Sequence, residues 1–332
     1  MEKKSLWKKL TSSHEASLII VLVILCFLVE MKSPGFLSAK NILEILKNNS
    51  VIMIMSLGML CVLLVGGIDI SITSSLAFSG MTMGMLIKYD IVHNTFLAFL
   101  IACAIGTACG FVVGLIVAKG KVAPIIATMG AMYIYRGFAY LVANSQWAGA
   151  DALGNFNNFA LESYLGFGVI NNVLVIVILC YIIFFVMLKW TKFGRNIYAV
   201  GSNPEAAEIS GIRVERVKLA VYTIMGFLCG LCGALATSIY ASAQPNMQQN
   251  KEMDVIAACV IGGVSMSGGR GSVGGALLGA LILAIISKAL PLIGIDAIAQ
   301  NTVKGLIILV VIMLNVITKR MFDKRNLERR EM

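Results

Sequence analysis

Residues 95–121 read TFLAFLIACAIGTACGFVVGLIVAKGK. No charge interrupts the chain from Thr95 to Ala118. A helix needs about 20 apolar residues to cross the hydrocarbon core of a bilayer, and this run supplies them. Lys119 and Lys121 end it abruptly. Within it Gly106, Gly110 and Gly114 recur at every fourth position, a spacing that lets helix backbones approach closely in lipid. Both plain tight packing and a sliding or gating seam are compatible with that spacing.

Working outward, runs of the same kind recur along nearly the whole chain. Candidate spans fall at 16–31, 49–65, 72–87, 95–118, 123–143, 170–188, 218–241, 253–267, 273–290 and 302–318. The third and eighth are interrupted by glycines and hydroxyls and adjoin Gly-Gly breaks. The 332 residues are 58% hydrophobic and 13% charged, with a mean hydropathy of +0.88. A soluble domain would need far more charge on its surface. The polar segments between spans are too short to fold alone. The expected fold is an all-α integral membrane protein with about ten transmembrane helices, one domain over 1–332, and no soluble catalytic domain.

The net charge of +10 does not point to nucleic acid, because the basic residues sit at segment ends and form no aromatic-interleaved stripe. Their distribution sets the orientation. With both termini cytoplasmic, the inside holds four basic residues before the first span, then Lys119 and Lys121. It also holds six between Lys189 and Lys218, Arg270, and six from Lys319 to Arg330. Lys32, Lys40 and Lys47 in the first outside loop run against the rule, but the reversed topology fits far worse. The inside segments are then an N-terminus at 1–15, a loop at 189–217 and a tail at 319–332. The start of the chain resembles a signal peptide, with Lys3, Lys4, Lys8 and Lys9 before an apolar run, yet no small-residue cleavage site follows. It is expected to remain as the first span.

Few residues suggest chemistry. Cys26, Cys61, Cys103, Cys109, Cys180, Cys229, Cys232 and Cys259 all lie in apolar runs and read as packing residues. The Cys229/Cys232 pair lacks the extra ligands a metal site needs, since His14 and His93 are distant. Gly269 to Gly274 fits G-x-G-x-x-G, but it joins two membrane segments, not a strand and a helix. Gly114 to Lys121 imitates a phosphate loop with the wrong spacing, and Val122 stands where a hydroxyl should follow. No metal, cofactor or catalytic residue is therefore expected. Asp69, Arg136, Asp254, Lys288 and Lys304 are the few ionisable groups in or near spans, too sparse a set for an ion-coupled carrier.

Two stretches resemble one another. Val62 to Ser71 and Ala258 to Ser267 each run from apolar residues through a Gly-Gly break to a polar turn, aligning Gly66 with Gly262. Internal repeats whose breaks line a substrate path are common in transporters. Neutral polar groups at the breaks would suit an uncharged ligand. The candidate path or gate residues are Gly66, Gly67, Asp69, Ser71, Thr73 and Ser74 at the first break, and Gly262, Gly263, Ser265 and Ser267 at the second. Asp69 can instead cap the helix that follows.

The longest inside loop holds the clearest local signal. Asn203 suits an N-cap, Pro204 the first helical position, Glu205 the positive helix start, and Gly211 a stop. A helix of about seven residues is expected, with Glu205, Ala206 and Ala207 presenting a flat face. Residues Gly201, Ser202, Asn203, Pro204, Glu205, Ala206, Ala207 and Gly211 form the candidate coupling segment.

From about Gly35 to Thr318 the chain resembles the permease subunits of bacterial ribose-type sugar ABC importers. The likeness rests on Gly66-Gly67-Ile68-Asp69-Ile70-Ser71, on Gly194-Arg195-Asn196 through Gly211-Ile212, and on Val260-Ile261-Gly262-Gly263 through Gly275. Ile70, Ile72 and Thr73 depart from the Leu, Val and Gly common there. The resemblance implies two permease copies, as a homodimer or with a close paralogue. It also implies separate ATPase subunits under the inside loop, a periplasmic or lipid-anchored sugar-binding protein, and a place in the bacterial plasma (inner) membrane. The sugar stays open among ribose, xylose, galactose, rhamnose and a furanose signal such as autoinducer-2. A carrier or channel working without an ATPase is the alternative. An intramembrane enzyme ranks last, because no metal set or Ser/His pair is present in the spans.

Overall fold

The structure is a computed structural model and describes residues 14–160, 162, 171–292, 294–296, 299, 300, 302–306, 309, 310 and 313. Its regular elements there are helical: α1 His14–Lys32, α2 Ala39–Asn48, α3 Ser50–Leu64, α4 Ile72–Lys88, α5 Thr95–Ala118, α6 Pro124–Ala143, α7 Ala150–Leu153, α8 Asn172–Trp190, α9 Lys192–Ser202, α10 Pro204–Ile209, α11 Val214–Tyr240, α12 Glu252–Ile261 and α13 Val273–Leu292. A short 3-10 helix, Gly154–Ala160, follows α7.

Local chemistry sets many of these ends. The Asn94 side chain accepts hydrogen bonds from Phe96 N and Leu97 N and starts α5, and Asn171 does the same for Leu174 N at α8. Pro124 occupies the first turn of α6, where its missing N–H costs nothing.

Among the described residues, α5, α6, α8, α11 and α13 are long and apolar enough to cross a membrane. The pair α2 and α3, bent by 52°, makes a sixth candidate if counted as one span. The centre is α3, where every residue from Ser50 to Leu64 is buried. A helix apolar all round belongs in the middle of a bundle. Around it pack α8, α9, α11, α12 and α13. The outward faces of α1, α5, α6 and α8 expose Val23, Phe27, Phe96, Ile126, Leu141 and Ile183, which suits contact with lipid.

The expected seam on α5 is real and interlocked. A Cβ on Gly106 or Gly110 would strike the backbone of α11 at Gly226, Gly230 or Tyr222, and a Cβ on Gly226 would strike α5. This is tight packing, backbone against backbone.

Eight expected spans each coincide with a helix to within a few residues. The eighth, 253–267, does not run through: α12 is ten residues, about 15 Å, and stops before Gly262-Gly263. Of the tenth, 302–306 are helical, and most of the remainder lies outside the described residues. Residues 1–13 and the tail at 319–332 also lie outside them.

Candidate functional site

Both breaks are the same backbone motif. At the first, Gly66 N donates to Leu63 O (2.9 Å) and Gly67 N to Val62 O (2.9 Å), with Gly66 at φ +74°. At the second, Gly263 N donates to Val260 O (3.0 Å) and Val264 N to Cys259 O (3.0 Å), with Gly263 at φ +83°. This paired closure around a left-handed residue is the Schellman helix stop. It matches Gly66 with Gly263, one residue out of register with the alignment of the two Gly-Gly pairs. α3 and α12 thus end alike, and each break leads into a further helix, α4 or α13, but the same stop also closes the helices before Asp90 and Gly211, so it does not by itself mark a repeat.

The two breaks meet. Gly269 N donates to Leu64 O (2.9 Å), which joins the turn after α12 to the end of α3. Between them sits the end of α9. A Cβ on Gly201 would overlap Leu64 O and lie 2.6 Å from Gly269 N, while a Cβ on Gly268 would lie 2.7 Å from Gly201 O. Only a residue without a side chain fits at Gly201. Tyr198, one turn earlier on α9, donates its hydroxyl to Gly271 O (2.9 Å). Two residues after Gly201, Asn203 caps α10.

The short helix expected in the candidate coupling segment forms, with one of its faces reversed. Asn203 Oδ1 accepts from Ala206 N (3.0 Å), Pro204 opens α10, and Gly211 follows it at φ +82°. The helix has six residues. Ala207, expected on the outward face, turns inward and is buried against the chain's own core. The outward face consists of Glu205, Ala206, Glu208 and Ile209, and Ile209 is 89% exposed. The sequence reading did not anticipate an exposed isoleucine at this helix tip. The amphipathic helix α9 was also missed. Its glycines and charges read as loop, yet Gly194, Ile197 and Val200 face inward.

The polar path residues fall into two groups. Asp69, Ser71, Thr73 and Ser74 are all buried where α4 begins. Asp69 Oδ1 accepts from Ser71 N (2.9 Å) and Ser71 Oγ (2.6 Å), so its carboxylate organises the helix start. Thr73 donates its hydroxyl to Glu252 (2.7 Å), and Ser74 Oγ is buried without a hydrogen-bond partner among the described residues. Ser265 and Ser267 lie elsewhere, in the surface turn beside Gly268, where Ser267 N donates to Ser265 Oγ (3.3 Å). Glu252 was absent from the sequence-derived set, and Arg136 was noted only as an ionisable group near a span end. A buried carboxylate and a guanidinium from two different helices share one hydroxyl, and no linear pattern announces such a pair.

No group of three or more His, Cys, Asp or Glu is placed to hold a metal ion among the described residues. All eight cysteines are free thiols. Cys229 and Cys232 are buried on α11.

Residues 41–314 match the family described as the permease component of the branched-chain amino acid transport system. Ribose import permease protein RbsC of Haemophilus influenzae is 39% identical over 297 residues, covering 89% of this chain and 90% of that one. RbsC of Bacillus subtilis is 38% identical over 295 residues, covering 89% and 90%. Galactose/methyl galactoside import permease protein MglC of Escherichia coli is 33% identical over 330 residues, covering 95% and 97%. No solved structure gives a significant match.

Proposed function

The chain belongs to this permease family and is a multi-pass membrane protein, and from that premise we propose that it is the membrane subunit of an ATP-driven monosaccharide importer. The family description names amino acids. The individual relatives named RbsC and MglC import ribose and galactose, and they match about nine-tenths or more of both chains. In this reading the chain forms the path, and a separate ABC ATPase supplies hydrolysis. A periplasmic or lipid-anchored binding protein delivers the sugar, and a second permease copy completes the channel. The assembly sits in lipid in the bacterial inner membrane. The chain is one permease domain, 1–332, crossing about ten times with both termini cytoplasmic.

The observation that carries the coupling is the contact at Gly201. It lies three residues before the partner-facing α10 and is wedged between the end of α3 and the turn after α12. A displacement of α10 by the ATPase would reach both broken helices without any slack side chain between them. Interfaces packed this tightly move between discrete arrangements instead of deforming smoothly. Gly66, Gly67, Gly262 and Gly263 are then the gate, with Ser265 and Ser267 at its inside rim. Asp69, Ser71, Thr73 and Ser74 lie above it along the path.

The test is uptake of D-ribose and D-galactose by proteoliposomes holding the chain with its ATPase and binding protein. Uptake of one or both sugars that requires ATP is expected. Equal uptake without ATP or without the ATPase would establish a carrier working alone.

A further inference from the structure

Thr73, Arg136 and Glu252 come from α4, α6 and the first residue of α12. The Thr73 hydroxyl donates to Glu252 Oε2 at 2.7 Å and accepts from Arg136 Nη2 at 3.4 Å. Thr73 is 1% exposed and Glu252 7%. Arg136 Nη1 is separately engaged, donating to Pro245 O (2.7 Å) and Met247 O (3.2 Å) in the loop before α12. Ionised groups held inside a membrane bundle are costly, and they mark substrate pathways more often than braces. Tethering the loop uses only one Arg136 nitrogen and does not require Glu252.

The hydroxyl at the centre of this cluster identifies its chemistry. It gives its proton to a carboxylate and takes one from a guanidinium. A sugar hydroxyl has the same pair of capacities, one donor with two acceptor lone pairs. Bonds of this kind to charged partners are the strong ones, and they discriminate against an analogue lacking the hydroxyl. Of the three helices that supply the cluster, α4 and α12 each adjoin one of the glycine breaks and α6 belongs to neither.

We propose that Arg136 and Glu252 form an intramembrane station that reads a hydroxyl of the transported sugar, and that Thr73 fills the station in the closed path. Opening the path withdraws Thr73, and a hydroxyl of the passing sugar takes its place between the carboxylate and the guanidinium. Closure returns Thr73 and releases the sugar. The proposal rests on the sugar-importer reading and adds a selective step inside the permease, separate from that of the binding protein.

The experiment measures uptake of D-ribose and 2-deoxy-D-ribose by proteoliposomes of the full importer carrying wild-type, Glu252→Gln or Arg136→Lys permease. All three use the same binding protein, so its preference cancels from the comparison. For Glu252→Gln, ribose uptake should fall about tenfold while deoxyribose uptake falls much less, shifting the ratio at least about fivefold. Arg136→Lys should shift it in the same direction. Membrane level and ATPase co-purification should be unchanged in every variant. An equal fall for both sugars would make the cluster a brace and overturn the proposal, as would an unaltered ratio at full uptake. If Glu252→Gln does not assemble, the Arg136→Lys ratio alone decides. Should wild type take up no ribose, galactose or deoxyribose, the importer reading itself fails and takes this station with it.

Discussion

Gly201 is the residue on which the most structure converges. An added methyl there meets two backbones, Leu64 O and Gly269 N, and neither can yield as a flexible side chain would. Overpacking of this kind typically costs about 1–3 kcal/mol. Gly66 offers the contrast, since it is exposed and its nearest neighbour would be Ser267 O at 3.9 Å. Its φ of +74° makes Ala strained there, by about 1–2 kcal/mol, without a collision. Gly201→Ala should therefore lose most uptake while still reaching the membrane, and Gly66→Ala should keep a substantial part. Matched measurements of uptake and membrane level check this, and wild-type uptake by Gly201→Ala would remove the wedge from the mechanism. The sequence placed Gly201 in the coupling segment and the Gly-Gly pairs at breaks, because glycine at a helix end is a local signal. It could not show that the left-handed stop falls on Gly66 at the first break but on Gly263 at the second. That register is decided by which carbonyls the two amides reach, and aligning like letters hides it. Glu252 and Arg136 were out of reach for a related reason, being 116 positions apart in the chain.

Element α10 was legible because a six-residue helix depends on its ends, and Asn203, Pro204 and Gly211 declare them. Which face it shows was not legible. Six residues are too few for a period to develop, and the inward turn of Ala207 is set by the core beneath it. This face reassigns the docking contact. Under the proposed coupling, Ile209, 89% exposed, and not the buried Ala207, is the residue free to insert into a groove on an ATPase subunit. Ile209→Arg should leave α10 and the fold intact, since that position is almost fully exposed among the described residues, while ATPase co-purification and uptake fall together. A large apolar anchor commonly contributes about 2 kcal/mol or more to such an interface, roughly 30-fold in affinity. Ala207→Arg should act differently, lowering the thermal stability of the permease because a charge is forced into a buried position. Unimpaired co-purification by Ile209→Arg would move the docking surface away from α10. The helix α9 was invisible for the converse reason. Gly194 and Gly201 depress its helix propensity, and packing overrides that weak preference.

At the scale of the whole molecule, the apolar periodicity carried most of the fold. A segment that must satisfy its own backbone in lipid has few options besides a helix. What periodicity left out are the interruptions, where α12 halts after ten residues and α3 bends by 52° from α2. Those interruptions are where the site lies. Because hydrolysis is assigned to a partner, the rigorously purified chain should show no ATPase activity above background. Measurable turnover that tracks this polypeptide would refute the division of labour.

Sidedness is the remaining whole-molecule question, and contacts at the two ends of the bundle bear on it. At one end, residues Lys121 to Pro124 share a cleft with Glu208 and Arg213 to Lys218. The same end holds the joint of Leu64, Gly201 and Gly269, and Ser272 donates its hydroxyl to Glu15 near the start of α1. At the other end, Lys88 donates to Gln146 (2.7 Å) and Trp147 O (3.2 Å), Ala148 bridges to Ala243, and Lys288 pairs with Glu44 (3.3 Å). The first end carries Lys119, Lys121, Lys192, Arg195, Arg213, Arg216, Lys218 and Arg270, the basic cluster that membrane proteins keep in the cytoplasm. Reporter fusions at Lys9, Lys119 and Arg325 should all read cytoplasmic, and fusions at His93 and Gln146 should read periplasmic. The Lys119 and His93 fusions test whether α5 crosses the membrane, and the Lys9 and Arg325 pair tests whether the number of crossings is even. A periplasmic signal at Arg325 with a cytoplasmic one at Lys9 would mean an odd number of crossings. The last span would then be the first to reconsider, because α13 already runs from the Glu15 end to the Glu44 end and only one more crossing can bring the tail back.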